Sequence, residues 1–240
     1  MNCWAATIAK QEERYIREWI EWNISIGIDH ILLADNNDII TSPMNDSLLL
    51  TIKDYVDSGY VEVFDYRGQI APQIRWCNHA LKVAKDRGIE WLAIIDVDEF
   101  ISDNVFSILF NRTSTVSLPW RVYDDNDLLH YDPRPVMERF TRTVNLQYNN
   151  KSVCKSIWHT PTIKTIISNH CPQASLLKVT GDEQYFVDHY MFKSTEEYIN
   201  KAKRGRVRAV SPKRYTKDLY FKWNKWTQEK EDLFQLYNIT

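Results

Sequence analysis

The feature that most restricts the fold is Trp91-Leu92-Ala93-Ile94-Ile95, an apolar run passing directly into Asp96-Val97-Asp98-Glu99-Phe100. An uninterrupted apolar run of this length reads as a strand buried on both faces, the kind found inside a parallel sheet. Ligands of open α/β sheets sit outside the carboxyl ends of such strands, and Asp96, Asp98 and Glu99 fall there. In extended backbone an Asp-x-Asp pair directs both carboxylates to one side. Such a pair is expected to share one hard divalent cation, which can hold a diphosphate through its oxygens. An acidic turn that merely closes a strand is the competing reading.

Upstream, strands and helices alternate. Residues 4–9 form an apolar strand that stops at Lys10-Gln11-Glu12-Glu13-Arg14. Tyr15, Ile16, Trp19, Ile20 and Ile26 then follow helical spacing up to Gly27. Residues 31–34 are a second strand running into Asp35-Asn36-Asn37-Asp38. Leu48, Leu49, Ile52, Tyr55 and Val56 mark a helix closed near Gly59, and residues 61–64 a third strand. Residues 73–87 read as a helix with Gly88 just past its end. The succession β-α-β-α-β-α-β predicts a parallel sheet with right-handed crossovers in the first hundred residues. Neither G-x-G-x-x-G nor a P-loop is present, and the whole chain has only six glycines. A cation is then the natural counter-charge for a diphosphate.

Beyond Phe100 the pattern loosens. Residues 105–110 suit a short helix, 115–118 a strand leading to Pro119-Trp120-Arg121, and 123–135 a polar, Asp-rich loop. Residues 136–143 open a helix with Glu138 near its start. Strands are expected over 152–158, 162–168 and 185–192. Ser194 and Glu197 form a capping box, and 216–238 reads as a further helix. The expected organisation is one domain over 1–210, with a nucleotide-binding half (1–100) and an acceptor-side half (101–210). A helical tail, 211–240, packs on it.

Composition excludes more than it selects. A net charge of −2 gives no global attraction to nucleic acid. Cys3, Cys77, Cys154 and Cys171 show no C-x-x-C spacing, so neither a zinc site nor a redox pair is indicated, and reduced thiols are expected. The first strand begins at once, leaving no room for a signal peptide, and no apolar run approaches the roughly 18 residues of a membrane span. The expected location is cytoplasmic, with at most peripheral contact at the inner membrane face. Trp223, Trp226, Lys222, Lys225 and Lys230 would make that contact, but Glu229, Glu231 and Asp232 interrupt the basic face.

Several stretches together carry a family likeness: Lys10 to Tyr15, Glu18-Trp19-Ile20-Glu21-Trp22, Ile26 to His30, Asp35-Asn36-Asn37, Gln73 with Asn78, and Trp91 to Phe100. Trp120, Glu138-Arg139-Phe140, Lys155-Ser156-Ile157, His170, His189 to Ser194 with Glu197, and Arg204-Gly205 continue it. On these the chain resembles glycosyltransferases of the family-2-like and family-92-like group, which adopt the GT-A fold. It departs from their pattern at Gln11 and Asn23, where Asn and His are usual, and in the Asp-rich 123–127 loop.

The resemblance implies an α/β GT-A fold with a mostly parallel central sheet flanked by helices. It implies a hexosyltransferase that uses a nucleotide-diphosphate sugar, most often a UDP-sugar, and a glycan or lipid-linked glycan acceptor, in surface polysaccharide or glycoconjugate synthesis. Asp96, Asp98 and His189 would hold a divalent cation, Mn2+ or else Mg2+, since a neutral imidazole suits manganese. Lys10, Glu12, Asp35, Gln73, Asn78, Asp96, Trp120 and Lys193 would line the nucleotide-sugar site. Arg204, Arg206 and Arg208 would assist, or simply suit a helix end.

An inverting transfer needs a carboxylate opposite the leaving group. Glu138 is the first choice, and Asp125, Asp127 and Asp182 are rivals. Trp120 is a sugar platform or core. Three other readings stand beside this one. Aspartyl-phosphate phosphatases carry their D-x-D on the first strand, not the fourth. Sugar-1-phosphate nucleotidylyltransferases open with a Gly-rich loop that is missing here. A catalytically inactive protein that binds a glycan or a nucleotide sugar is the non-enzymatic alternative.

Overall fold

The computed structural model describes residues 2–39, 47–110, 112–144, 147–148, 151–152, 154–170, 184–204 and 215–239. Cys171, Asp182, Gly205, Arg206 and Arg208 lie outside the described residues.

The first half builds as β1 (Cys3–Ala9), α1 (Ile16–Ser25), β2 (His30–Asp35), α2 (Ser47–Thr51), α3 (Lys53–Asp57), β3 (Val61–Asp65), α4 (Gln73–Asp86) and β4 (Trp91–Ile94). The helix expected around residues 48–56 is thus two short ones. The four strands pair in parallel in the order β3-β2-β1-β4. Alternation along β1 explains the layers. Cys3, Ala5 and Ala9 pack with Ile16, Trp19 and Ile20 of α1 on one face. Ala6 and Ile8 pack with Trp76, Cys77 and Ala80 of α4 on the other. Alanines leave room on β1 for the two fully buried indoles, and truncating either to Ala would cost about 3–5 kcal/mol. Gly27 (φ +94°) and Gly88 (φ +69°) end α1 and α4 in the left-handed region, where a side chain is strained.

The strand order has a functional consequence. The chain steps from β1 outward to β3, then returns through α4 to place β4 on the opposite side of β1. The β1–β4 boundary is therefore a topological switch point, with a crevice outside the carboxyl ends of the two strands.

The second half adds β5 (Glu99–Ile101), α5 (Val105–Leu109), β6 (Val116–Tyr123), α6 (Val136–Arg139), β7 (Thr143–Val144), β8 (Gln147–Tyr148), β9 (Lys151–Ser152), β10 (Cys154–His159), β11 (Val187–His189), α7 (Thr195–Arg204), α8 (Lys217–Phe221) and α9 (Gln228–Leu236). The sheet continues β4-β10-β6-β11-β5, with β10 antiparallel to both neighbours, β11 parallel to β6, and β11 antiparallel to β5. Five Cα-to-Cα steps lead from Ile94 to Glu99 and reach no more than roughly 18 Å. Yet β4 and β5 are four strand spacings apart in the sheet, roughly 19 Å if it were flat. The sheet must curl, which carries β11 and β5 back toward the crevice. Pro119, lacking an N–H, sits where β6 exchanges β10 for β11 as its partner.

The α/β class, the central sheet and its flanking helices match the expectation. Parallel pairing prevails in the first half, and antiparallel strands fill the second. Three local expectations are corrected. No strand forms over 162–168, because the Asn78 side chain takes up the backbone there: its amide donates to Ile166 O at 2.7 Å and its oxygen accepts from Ile166 N at 2.9 Å. The terminal helix is broken into α8 and α9, whose Tyr220 and Phe234 pack on Val122, Phe192 and Tyr198. Cys154 is disulfide-bonded, whereas Cys3 and Cys77 are buried thiols outside any disulfide, so the cysteines are not uniformly reduced. Among the described residues no helix is long and apolar enough to cross a membrane.

Candidate functional site

Strand β4 ends at Ile94, and the acidic residues form a turn, closed by Glu99 N–H donating to Asp96 O at 3.0 Å. The extended Asp-x-Asp expected from the sequence does not form. Instead the carboxylates meet different partners. Asp96 accepts from the Lys155 ammonium at 2.9 Å and from the Gln73 amide at 3.4 Å. Glu99 reaches back to accept the Asp96 N–H at 2.8 Å and lies 3.0 Å from the same ammonium. Asp98 is paired with Lys201 of α7, and His189 Nε2 of β11 lies 3.7 Å from its other oxygen. Tyr190 N–H donates to Asp98 O at 2.9 Å, tying the turn to the end of β11.

Burial and charge pull these groups apart. Burial raises the Asp98 pKa, but Lys201 and His189 outweigh it and hold the carboxyl well below its usual range. For Glu99 burial wins: Lys155 opposes it, Asp96 and Asp98 add to it, and the pKa is pushed up to about 8. Burial lowers the His189 pKa against the pull of Asp98, which favours the neutral ring.

The other wall is the end of β1. Arg204 of α7 donates to Lys10 O at 2.5 Å and Gln11 O at 2.8 Å and pairs with Glu12. Lys193 stacks 3.3 Å over the Tyr15 ring, and burial lowers its pKa. Gln11 and Lys193, both at φ +53°, face a cleft of about 230 Å³ that Glu12, Lys201 and Arg204 also line. Left-handed backbone at non-glycine residues costs energy and gathers at ligand sites. The Asn usual at the Gln11 position in the resembled group tolerates this conformation better. Helix α7 thus crosses the switch-point crevice, one cation on each wall. Four carboxylates (Glu12, Asp96, Asp98, Glu99) face four cations (Lys155, Lys193, Lys201, Arg204).

Beneath this, Glu197 ties three elements together. It accepts from Tyr15 at 2.6 Å, from Arg139 at 2.9 Å and from the Ser194 hydroxyl at 2.6 Å, so the expected capping box forms.

The expected residues divide. Glu12, Gln73, Asp96, Asp98, Lys193 and His189 gather around the crevice. Trp120, half-buried, packs 4.2 Å from the His189 ring and 5.3 Å from His170. Asp35 caps its own loop by accepting from Asn37 N–H at 2.9 Å, and Lys10 pairs with the exposed Asp38 at 3.1 Å. Asn78 is occupied with Ile166, as above. Asp125, fully buried, pairs with Lys230 at 2.6 Å and accepts from Tyr220, anchoring α8 and α9. Asp127 pairs with Arg142 at 2.8 Å. Glu138 is exposed on α6 and its carboxylate forms no hydrogen bond or ion pair among the described residues, while its neighbour Arg139 points inward. Sequence reading singled out neither Lys155 as a counter-ion nor Lys201 at all. A lysine in a polar stretch looks solvated, and only the fold brings it to a carboxylate.

Asp98 and His189 suit a divalent cation, as a carboxylate and a neutral imidazole on one space. Asp96 is turned to Lys155. Among the described residues no group of three or more His, Cys, Asp or Glu side chains is arranged to hold a metal. Such a pair fits a cation that takes its remaining ligands from diphosphate oxygens and water.

No family model and no curated protein matches the chain. Solved structures with a likeness include S. aureus TarS 1–349 in complex with UDP, at 15% identity and TM-score 0.44, over 67% of this chain and 47% of that one. S. aureus TarS 1–349 alone matches over 85% and 65% at 14% identity and TM-score 0.43. The mannosyltransferase PcManGT from Pyrobaculum calidifontis, in complex with GDP-Man and Mn2+, matches over 50% and 36% at 12% identity and TM-score 0.37. The match spans only 22% of the TarS structure and 35% of TarS 1–349 bound to UDP-GlcNAc. At these scores the likenesses add nothing to what the sheet order shows.

Proposed function

We propose that the chain is a metal-assisted glycosyltransferase. It moves a hexosyl group from a nucleotide-diphosphate sugar, a UDP-sugar by the resemblance, to a hydroxyl of a glycan or lipid-linked glycan. Inversion at the sugar, and a place in surface polysaccharide or glycoconjugate synthesis, belong to the same proposal. The observation that carries it is the crevice at the β1–β4 switch point. Asp98 and His189 stand on one side of it, and Lys193 and Arg204 on the other, so it suits a cation and a diphosphate together.

Asp98 and His189 would hold Mn2+ or Mg2+, and a bound cation would neutralise charge on the departing diphosphate without proton transfer. Lys193 and Arg204 add fixed positive charge beside it. Asp96, steadied by Lys155 and Gln73, would accept from a donor hydroxyl. Trp120 offers an apolar face to a sugar ring. For the base we retain Glu138, whose carboxylate is uncommitted, whereas Asp125 is engaged with Lys230. The disulfide at Cys154 counts against a reducing compartment, so the cytoplasmic expectation forms no part of the proposal.

A donor panel tests it. One nucleotide sugar should raise the unfolding temperature in the presence of Mn2+, and the protein should slowly release the nucleoside diphosphate from it. Stabilisation without turnover, with every acceptor tried, would favour the inactive binding protein. No stabilisation by any donor would end both readings.

A further inference from the structure

We propose that Lys201 is the resident counter-ion of Asp98, keeping the metal position closed until a nucleoside diphosphate arrives to draw the ammonium away. The inference rests on the metal-assisted reading above and assigns Lys201 a role in it as a positioning residue.

Three observations carry it. First, Lys201 Nζ is paired with Asp98 Oδ2 in a buried setting, the two side chains being 13% and 8% exposed. The carbonyl of Met191 accepts from the same ammonium at 3.3 Å. A cation seated between Asp98 Oδ1 and His189 would lie a few ångströms from that ammonium, with little water between them to screen the repulsion. Second, among the described residues the crevice walls carry no fewer cations (Lys155, Lys193, Lys201, Arg204) than carboxylates (Glu12, Asp96, Asp98, Glu99). A bare divalent cation entering alone therefore finds no net negative charge. A diphosphate that accompanies the cation supplies the missing negative charge. Third, Lys201 has somewhere to go. It lines the same 230 Å³ cleft as Lys193 and Arg204, which is where a diphosphate would meet all three. The exchange is then one of partners: the ammonium passes from carboxylate to phosphate oxygen, and Asp98 is freed for the cation. No bond is made or broken covalently.

Mn2+ binding to the nucleotide-free protein, followed by electron paramagnetic resonance of free Mn2+ or by calorimetry, tests the exchange. Lys201→Gln should bind Mn2+ alone about tenfold more tightly than wild type, while Lys201→Arg, which keeps the charge, stays at the wild-type value. With Mn2+ present, Lys201→Gln should bind UDP more weakly than wild type. Equal Mn2+ affinity in all three proteins, abolished by Asp98→Asn, would overturn the proposal and leave the nucleotide-sugar reading standing. If UDP binds wild type equally well with a chelator present, Lys201 is a permanent substitute for the metal, and the proposal again fails. Absence of both Mn2+ and UDP binding in every protein would remove the two readings together. Should Lys201→Gln not fold, wild type alone decides. Mn2+ by itself should leave its unfolding temperature unchanged, and Mn2+ with UDP should raise it. An equal rise with Mn2+ alone would sink the idea.

Discussion

The Lys155 ammonium stands 2.9 Å from the Asp96 carboxylate, with a sequence separation of 59 residues between the two. It lies 3.0 Å from Glu99 as well, so one buried cation serves two carboxylates. Replacing it with Met leaves Asp96 and, above about pH 8, the fully buried Glu99 uncompensated, and breaking a buried pair in this way costs about 3–5 kcal/mol. Urea unfolding of Lys155→Met should show a loss of that order, with weaker donor binding as Asp96 loses its support. A variant as stable as wild type would show that the pair contributes nothing.

Glu99 makes stability depend on pH. Its folded pKa, pushed from 4.5 to about 8 by burial, exceeds the unfolded value. The stability it supports is therefore full below the unfolded pKa and is lost as pH rises through the folded one. Between about pH 5 and about pH 8, Glu99→Gln should be less sensitive to pH than wild type. Parallel curves of unfolding free energy against pH would contradict this.

Arg139 and Glu138 are adjacent, and their variants should behave oppositely. Arg139 and Glu197 form a buried pair at 2.9 Å with side chains 1% and 2% exposed, so Arg139→Met should lose about 3–5 kcal/mol of stability. The exposed Glu138→Gln should unfold within about 0.5 kcal/mol of wild type. If Glu138 is the base, kcat of that variant falls roughly 10²–10⁴-fold with donor binding retained. An unchanged kcat would eliminate it.

Asp98→Asn removes a ligand of the proposed cation and the partner of Lys201 at once. Transfer should fall by roughly 10²-fold or more, and the unfolding temperature should drop as well, because the Lys201 ammonium stays buried without its carboxylate. Full activity in steady-state assays with Mn2+ would exclude Asp98 from the site.

Much of this was legible in the sequence, for identifiable reasons. The run from Trp91 to Ile95 could only be an interior strand, and the alternation before it called for the parallel half of the sheet. The Ser194–Glu197 spacing specified its own cap. Illegible were partnerships made across the fold. Lys201 pairs with Asp98 over a separation of 103 residues, and no local period encodes that. Asp96 and Asp98 share a face only in extended backbone, and the turn at Val97 and Asp98 cancels that rule. On the one-turn helix α6 a shift of a single residue exchanges an outward carboxylate for an inward guanidinium.

The placement of β10 between β4 and β6 sets a timetable for folding. Strands β1 to β4 can associate once residue 94 has been made, but the acidic turn that follows meets no neutralising lysine until β10 docks. Pairings of such long sequence separation form late. A chain interrupted between the two would carry three carboxylates crowded at one strand end, repelling one another and leaving the flank of β4 open to other strands. Docking of β10 closes that flank and brings Lys155 to Asp96 and Glu99, while Asp98 meets its own lysine, Lys201, only with α7. The charge arrangement on which the crevice depends is therefore completed only by the second half of the chain.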